Sequence, residues 1–517
     1  MRGGLMVCGT GSDVGKSAVV AGLCRLLARR GVSVAPFKAQ NMALNSYVTA
    51  AGHEIGRAQG VQALAAGVEP EVAMNPILLK PTGERTSQVV VMGKPLAHMD
   101  AVGYHEAKPG LLQLVLECLA DLRSRFEVVV CEGAGSPAEV NLLDHDIVNL
   151  RVAAEARLPA VVVGDIDRGG VFASLYGTVE LLPREYRRLV RGFVINKFRG
   201  DPALLAPGLD ELERRCRVPT VGVLPWVEGL GLDAEDSLAL SGPRPSPATR
   251  PVPGGDLVDV AAIQLPRVAN ATDLDALAVE PGVGVRLVTT AGSLGDPDLI
   301  VVPGTKATVT DMDWLRARGF DRALGAAAAR KNGPVVLGIC GGYQILGREI
   351  VDHVESGRGR VEGLGLLDVV TQFAPDKLTR QRRGHGLGLR ISGYEIRHGR
   401  SEVGAAAHPW LELDDSYGSE AEGAATGPVA CGLPAVLGTS LHGLFEEDAF
   451  RVAFVGAVAR RRGKHFRPAG VSFSAARQTQ LDRFADLLEA HLDLSALDAI
   501  IGEGAPAPET SSVGGGP

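Results

Sequence analysis

Three short runs, FEVVVCEGAG at 126–135, PAVVVGDID at 159–167 and GFVINKF at 192–198, carry β-branched residues without the polar alternation of a half-exposed strand. A strand that is apolar on both sides must be covered on both faces, and that requires a parallel sheet between two helical layers. LMVCG (5–9), VSVAPFK (32–38) and PTVGVLPW (219–226) extend the set, and helical patterns such as SAVVAGLCRLLARRG (17–31) supply the crossovers. The pattern predicts a doubly wound α/β domain. The same grammar restarts at VDVAAIQL (258–265), VRLVTT (285–290), DLIVVPG (298–304), PVVLGIC (334–340) and AVLGTSLHG (435–443), so a second α/β domain is expected.

Between the two sets lies SGPRPSPATRPVPGG (241–255), rich in Pro, Gly and Ser and without apolar periodicity. Such a stretch reads as a linker over 241–256. It divides a domain at 1–240 from one at 257–497, which helices at 450–463 and 475–494 are expected to close. Residues 498–517 have the composition of a disordered tail. A net charge of −7 provides no global field for nucleic acid, so an anionic substrate must be met by local Lys and Arg. No apolar run approaches the ~20 residues that span a bilayer. The seven cysteines are scattered with no CxxC pair, as suits a reducing cytoplasm rather than a disulfide framework. Neither a membrane nor a nucleic acid is expected as partner, and the oligomeric state is left open.

GTGSDVGKS at 9–17 ends a strand, turns through small residues and starts a helix near Lys16. A loop of this kind aims backbone N–H groups and a helix N-terminus at one point, which suits a phosphate. Gly9, Thr10 and Gly15 shape the cradle, Lys16 reaches the β/γ-phosphates, and Ser17 ligates Mg²⁺. The spacing departs from GxxxxGK[ST], because the fifth residue before Gly15 is Thr10 and Gly9 lies one position early. Glu132, at a strand end facing the same crevice, is a second hard-oxygen candidate for Mg²⁺ or else a solvated strand-end acid. Asp165 and Asp167 are either further candidates or caps of the next helix.

PVVLGICGGYQILG at 334–347 gives a strand, Cys340, two glycines and a helix. A nucleophile on so tight a turn is exposed at the sheet edge, where the helix N-terminus favours the thiolate and the Gly341 N–H can hold an oxyanion. His442, at the end of another strand, is the candidate base. Gly304, in the loop VVPGTK, is the candidate second oxyanion donor. The other cysteines read as core residues.

The elbow GICGGYQ with a later strand-end His resembles class I glutamine amidotransferases, and the N-terminal loop resembles that of dethiobiotin synthetase. Fused in one chain, the two resemble the family of cobyric acid synthase and cobyrinic acid a,c-diamide synthase. The resemblance covers nearly the whole chain through FKAQNMALNS (37–46), EIGRAQ (54–59), MNPILLKPTGE (74–84), EGAGSPAEVNL (132–142), DIDRGGVFASLYGT (165–178), INKFRGD (195–201), VPGTKATVTDMDWLR (302–316), GYEIRHGRS (393–401) and SLHGLFEEDAFR (440–451). Ala39-Gln40-Asn41-Met42, where the diamide synthases show an acidic segment, favours the cobyric acid branch.

The resemblance implies a dethiobiotin-synthetase-like P-loop domain, a glutaminase domain and a two-site reaction. ATP phosphorylates a carboxylate of adenosylcobyrinic acid a,c-diamide, and ammonia released from glutamine at Cys340 displaces the phosphate. The cycle repeats at the b, d, e and g groups to give adenosylcobyric acid, and cobalt arrives with the corrinoid substrate. The resemblance further assigns Lys16, Ser17 and Glu132 to Mg-ATP, Asn196 to the nucleotide base and Lys38 to substrate carboxylates. It leaves the third member of the Cys–His site open, with Glu446 and Glu447 following His442 at the wrong spacing. RVANATDLDAL (267–277) departs from the family's Ser-Asn-Phe-Thr-Asp pattern at Ala269 and Ala271, and no catalytic role is expected there. The competing readings are amidation of other carboxylates, such as the a and c groups or a lipid-linked glycan acid, and a partition-type ATPase carrying a degenerate glutaminase domain.

Overall fold

A computed structural model of the protein describes residues 2–83, 86–227, 251–415, 418–427 and 432–505. Strands Gly3–Gly9, Val34–Phe37, Val128–Glu132, Ala160–Asp165, Val190–Phe198 and Thr220–Pro225 form one all-parallel sheet. Gly3–Gly9 lies inside it, between Val128–Glu132 and Ala160–Asp165. The chain therefore winds outward in both directions from this strand, and the crevice at its carboxyl end is where ligands bind in such sheets. Val128, Val129, Val130, Val161, Val162 and Val163 are all buried, as unbroken apolar runs demand.

The second sheet orders Val283–Val288, Val258–Ile263, Leu299–Val302, Val335–Ile339 and Val436–Thr439 in parallel, with the short antiparallel Ala424–Ala425 at its edge. Every strand expected from the apolar runs is present.

Two β-layers were not announced by such runs. One is a four-stranded sheet of Gln40–Met42, Ile77–Pro81, Thr86–Val91 and Lys94–Asp100 in the first half. The other is built on a long antiparallel ribbon, Val369–Gly386 against Leu389–Val403, in the second. The ribbon meets strand Ser46–Val48 of the first half, so the halves are joined along an extended seam.

The C-terminal helices correct the expected division. Helix Asp448–Arg461 does pack on the second core, through Phe450, Phe454, Val455 and Val458. Helix Phe473–His491 instead returns to the first half, where Leu481, Ala485 and Leu488 join the core of helix Lys16–Arg29. Gly22 lets Leu488 approach, since a Cβ there would stand 2.6 Å from it. Arg25–Asp482 at 2.7 Å and Arg29–Asp486 at 2.6 Å rim the contact. The expected tail begins too early, because helix Leu494–Glu503 buries Leu497, Ile500 and Ile501 against the first sheet. Residues 506–517 of that tail, and 241–250 of the expected linker, lie outside the described residues.

Candidate active site

The chain crosses from strand Gly3–Gly9 to helix Lys16–Arg29 through a loop that closes on glycine. Gly15 caps the helix at φ 97°, and a Cβ there would lie 2.2 Å from Nδ2 of Asn196. Only glycine fits both the left-handed backbone and the space. Lys16 curls back over the loop, its Nζ donating to Gly11 O at 2.7 Å and to Gly135 O at 3.1 Å. Thr10 still pairs with the sheet, donating its N–H to Val163 O at 2.9 Å. The one-residue offset at Gly9 therefore ends the strand without disturbing the turn.

Glu132 lies at the foot of this loop with almost no exposure. Ser17 Oγ donates to its Oε1 at 2.8 Å, Lys38 Nζ to the same oxygen at 2.7 Å, and Gln62 Nε2 to Oε2 at 2.6 Å. A buried carboxylate needs such partners to remain charged. It is not a solvated strand-end acid. The resulting cluster brings together Lys16, Ser17, Lys38 and Glu132.

Asn196 ties its strand to the loop, donating from Nδ2 to Val14 O at 2.9 Å. Asp165 and Asp167 turn to other cations: Lys197 Nζ donates to Asp165 at 2.7 Å, and Arg199 pairs with Asp167 at 3.1 Å.

The second site forms at the carboxyl ends of the second sheet. Strand Val335–Ile339 ends in Cys340, which sits at φ 49°, ψ −108° and leads directly into helix Gly341–Leu346. Positive φ at a non-glycine residue is strained, and here the strain holds the thiol at a sharp strand-to-helix turn. Gly342 makes that turn possible, because a Cβ would come within 1.9 Å of Val302 O.

His442 follows strand Val436–Thr439, and its ring lines the same pocket as the Cys340 thiol. Gly304 and Gly341 flank the pair. A Cβ on Gly304 would meet His442 Cε1 at 2.8 Å, and one on Gly341 would meet Thr305 Cγ2 at 2.7 Å. The expected catalytic and oxyanion residues thus lie side by side. Cys340 keeps 7% of its surface exposed and, with Lys306, Gln344, Arg397 and His442, lines a pocket.

Asp273 completes the arrangement. His442 Nδ1 donates to Asp273 Oδ2 at 2.7 Å, and the Gly443 N–H donates to Oδ1 at 2.7 Å. Burial opposes charge on His442, but Asp273 and the Cys340 thiol outweigh it and push the imidazole up to about 10. The protonated ring is therefore favoured beside the thiol. This corrects the expectation that 267–277 has no part in the site. Glu446 points elsewhere, to Arg57 at 3.0 Å and Arg477 at 3.2 Å, and Glu447 accepts from Ser392 Oγ. The signal for Asp273 in the sequence is that Asn270, Thr272 and Asp273 keep the Asn, Thr and Asp of that pattern.

Among the described residues no helix is long and apolar enough to cross a membrane.

Both halves of the chain match known families. Residues 5–238 match the family described as a CobQ/CobB/MinD/ParA nucleotide binding domain, and residues 259–450 match the CobB/CobQ-like glutamine amidotransferase domain. The chain is 54% identical to the cobyric acid synthase of Frankia casuarinae, covering 98% of both chains. It is 53% identical to that of Streptomyces avermitilis, again over 98% of both, and 52% identical to that of Rhodococcus jostii, over 98% of this chain and 96% of the relative. A phosphate loop and a cysteine elbow, each in its matching domain and joined over this full length, show that the chain belongs to the cobyric acid synthase family of ATP-dependent amidating ligases.

Proposed function

We propose that the protein amidates the b, d, e and g carboxylates of adenosylcobyrinic acid a,c-diamide to give adenosylcobyric acid, using ATP and glutamine. The observation that carries this reading is the presence, in one chain, of a Cys340–His442–Asp273 array and a Lys16–Ser17–Lys38–Glu132 phosphate cluster. The relatives' shared name supports the acceptor.

The Cys340 thiolate attacks the glutamine amide carbonyl, and charge develops on the oxygen beside the peptide groups of Gly304 and Gly341. His442 gives its proton to the departing nitrogen, releasing ammonia, and water then hydrolyses the thioester to glutamate. In the first half, Lys16 and the loop amides hold the triphosphate while an acceptor carboxylate oxygen takes the γ-phosphoryl group and ADP leaves. Lys38, bonded to Glu132, would meet that carboxylate, and Asn196, bonded to Val14 O of the loop, would meet the nucleotide base. Ammonia attacks the acyl phosphate, forming the C–N bond and expelling phosphate. Ser17 Oγ and Glu132 Oε1, 2.8 Å apart, are the hard donors that suit Mg²⁺, which when bound offsets phosphate charge.

The test supplies the diamide acceptor, ATP and glutamine and follows product mass. Four successive exchanges of hydroxyl for amino are expected. Amidation confined to the a and c groups of cobyrinic acid would overturn the assignment. Cys340→Ala should lose the glutamine-driven reaction and keep the one driven by a high concentration of ammonium salt.

A further inference from the structure

A short segment of the nucleotide-binding half reaches the neighbours of all three glutaminase residues. Asn45 Oδ1 accepts from the Ala271 N–H at 3.1 Å, and the Ser46 N–H donates to Asn270 Oδ1 at 2.8 Å. These bonds clamp the turn that leads into helix Thr272–Ala278, which carries Asp273. Asn270 itself sits at φ 56°, a left-handed conformation that Asn accepts more readily than most residues. Asn45 and Ser46 have no exposed surface, and Asn270 has 4%.

Two residues further on, Val48 packs with Tyr394 and Ile396 of the long ribbon, and its carbonyl accepts from Gln381 Nε2 at 2.9 Å. Tyr394 stacks on the His442 ring with centroids 5.4 Å apart and pairs with the His442 backbone through two bonds of 2.9 Å. Ile396 presents its carbonyl to Cys340 Sγ at 3.7 Å. Asn45 and Ser46 thus fix the acid, and Val48 backs the base and the nucleophile.

The same segment is anchored toward the phosphate loop. The Arg57 N–H donates to Asn45 O at 3.0 Å, and the helix that Arg57 begins carries Gln59 and Gln62. Asn41 donates to Gln59 at 2.9 Å, Gln59 to Gln62 at 3.5 Å, and Gln62 to Glu132 at 2.6 Å, all of them buried. Buried amides joined in this way transmit small displacements, because none can break its bond without a desolvation cost.

We propose that Asn45–Val48 is a positioning element for glutamine hydrolysis, through which the nucleotide-binding half holds Cys340, His442 and Asp273 in register. The glutaminase is therefore built across both halves. The inference rests on the function proposed above.

The experiment measures steady-state glutamine hydrolysis by full-length protein, with ATP and acceptor present, for Asn45→Ala, Asn45→Asp and Val48→Ala. Neither Asn45 nor Val48 lines the Cys340 pocket, so the glutamine KM should stay put while kcat falls roughly ten- to a hundred-fold in Asn45→Ala and Val48→Ala. Asn45→Asp keeps an oxygen to accept from Ala271 but loses the amide N–H and brings a carboxyl to a fully buried site, so it should recover only part of the loss. Amidation driven by ammonium salt should run at the wild-type rate in all three. Wild-type kcat in both Asn45→Ala and Val48→Ala would overturn the proposal, and so would a parallel fall of the ammonium-driven reaction, the mark of general loosening. Should Asn45→Ala not fold, Val48→Ala, which only shortens a side chain, carries the test. Cys340→Ala is the control: hydrolysis that survives it refutes the proposed function, not this inference.

Discussion

Asp273 holds His442 from a helix 169 residues earlier in the chain, through a bond of 2.7 Å to Nδ1 and a second to the backbone N–H of Gly443. The acid therefore fixes both the orientation of the ring and the strand end that presents it. Replacing it by Asn keeps the shape and removes the charge, so glutamine hydrolysis should fall roughly 10²- to 10⁴-fold. With the carboxylate gone, burial is opposed by Cys340 without the help of Asp273, and the His442 pKa drops from about 10. The alkaline limb of the glutaminase pH profile should move to lower pH in Asp273→Asn, and an unmoved limb would count against the pairing.

The same contact makes a statement about stability. His442 is raised in the folded protein from 6.5 to about 10, so the gain from the charged pair is complete below pH 6.5 and disappears as pH climbs to about 10. The melting-temperature difference between wild type and Asp273→Asn should accordingly be largest at or below pH 6.5 and shrink toward pH 10. Thermal denaturation across this range checks it, and a constant difference would show that the pair is uncharged.

At the phosphate loop, Glu132 neutralises Lys38, and both side chains are almost wholly buried. Glu132→Gln leaves the ammonium without its counter-charge, which costs on the order of 3 kcal/mol. Denaturant titration should show that loss, and ATP-dependent amidation should vanish whether glutamine or ammonium salt supplies the nitrogen.

Arg451 is the largest side chain with no exposed surface, bonded to Glu280 at 3.2 Å and to the carbonyls of Phe445 at 3.0 Å and Val471 at 2.7 Å. Arg451→Leu strands Glu280 in the second core and should destabilise it by roughly 3–5 kcal/mol. Chemical unfolding of the purified variant measures this, and Arg451→Lys should recover only part, since one ammonium cannot replace the guanidinium fork.

Much of this was legible in the chain itself. Uninterrupted Val runs can only be strands covered on both faces, and a cysteine between a buried strand and paired glycines can only be a tight turn. Both signals are local. Asp273 was illegible because its partner is remote in sequence and because the neighbouring residues act through their backbone: Ala269 donates its N–H to Gly304 O at 2.8 Å whatever its side chain. The side chains at Ala269 and Ala271 take no part in those backbone bonds. Helix Phe473–His491 shows a different gap. Leu481, Ala485 and Leu488 announce an apolar face, but periodicity alone cannot tell which core will receive it.

That returning helix also orders events during synthesis. Arg25 on the covered surface is made 457 residues before Asp482, its partner on the covering helix. The nucleotide-binding half must wait, with an apolar flank uncovered, until the glutaminase half has been translated. A chain cut short anywhere before Phe473 would therefore leave the apolar flank of Lys16–Arg29 bare, so closing the nucleotide-binding half waits on translation past the glutaminase half.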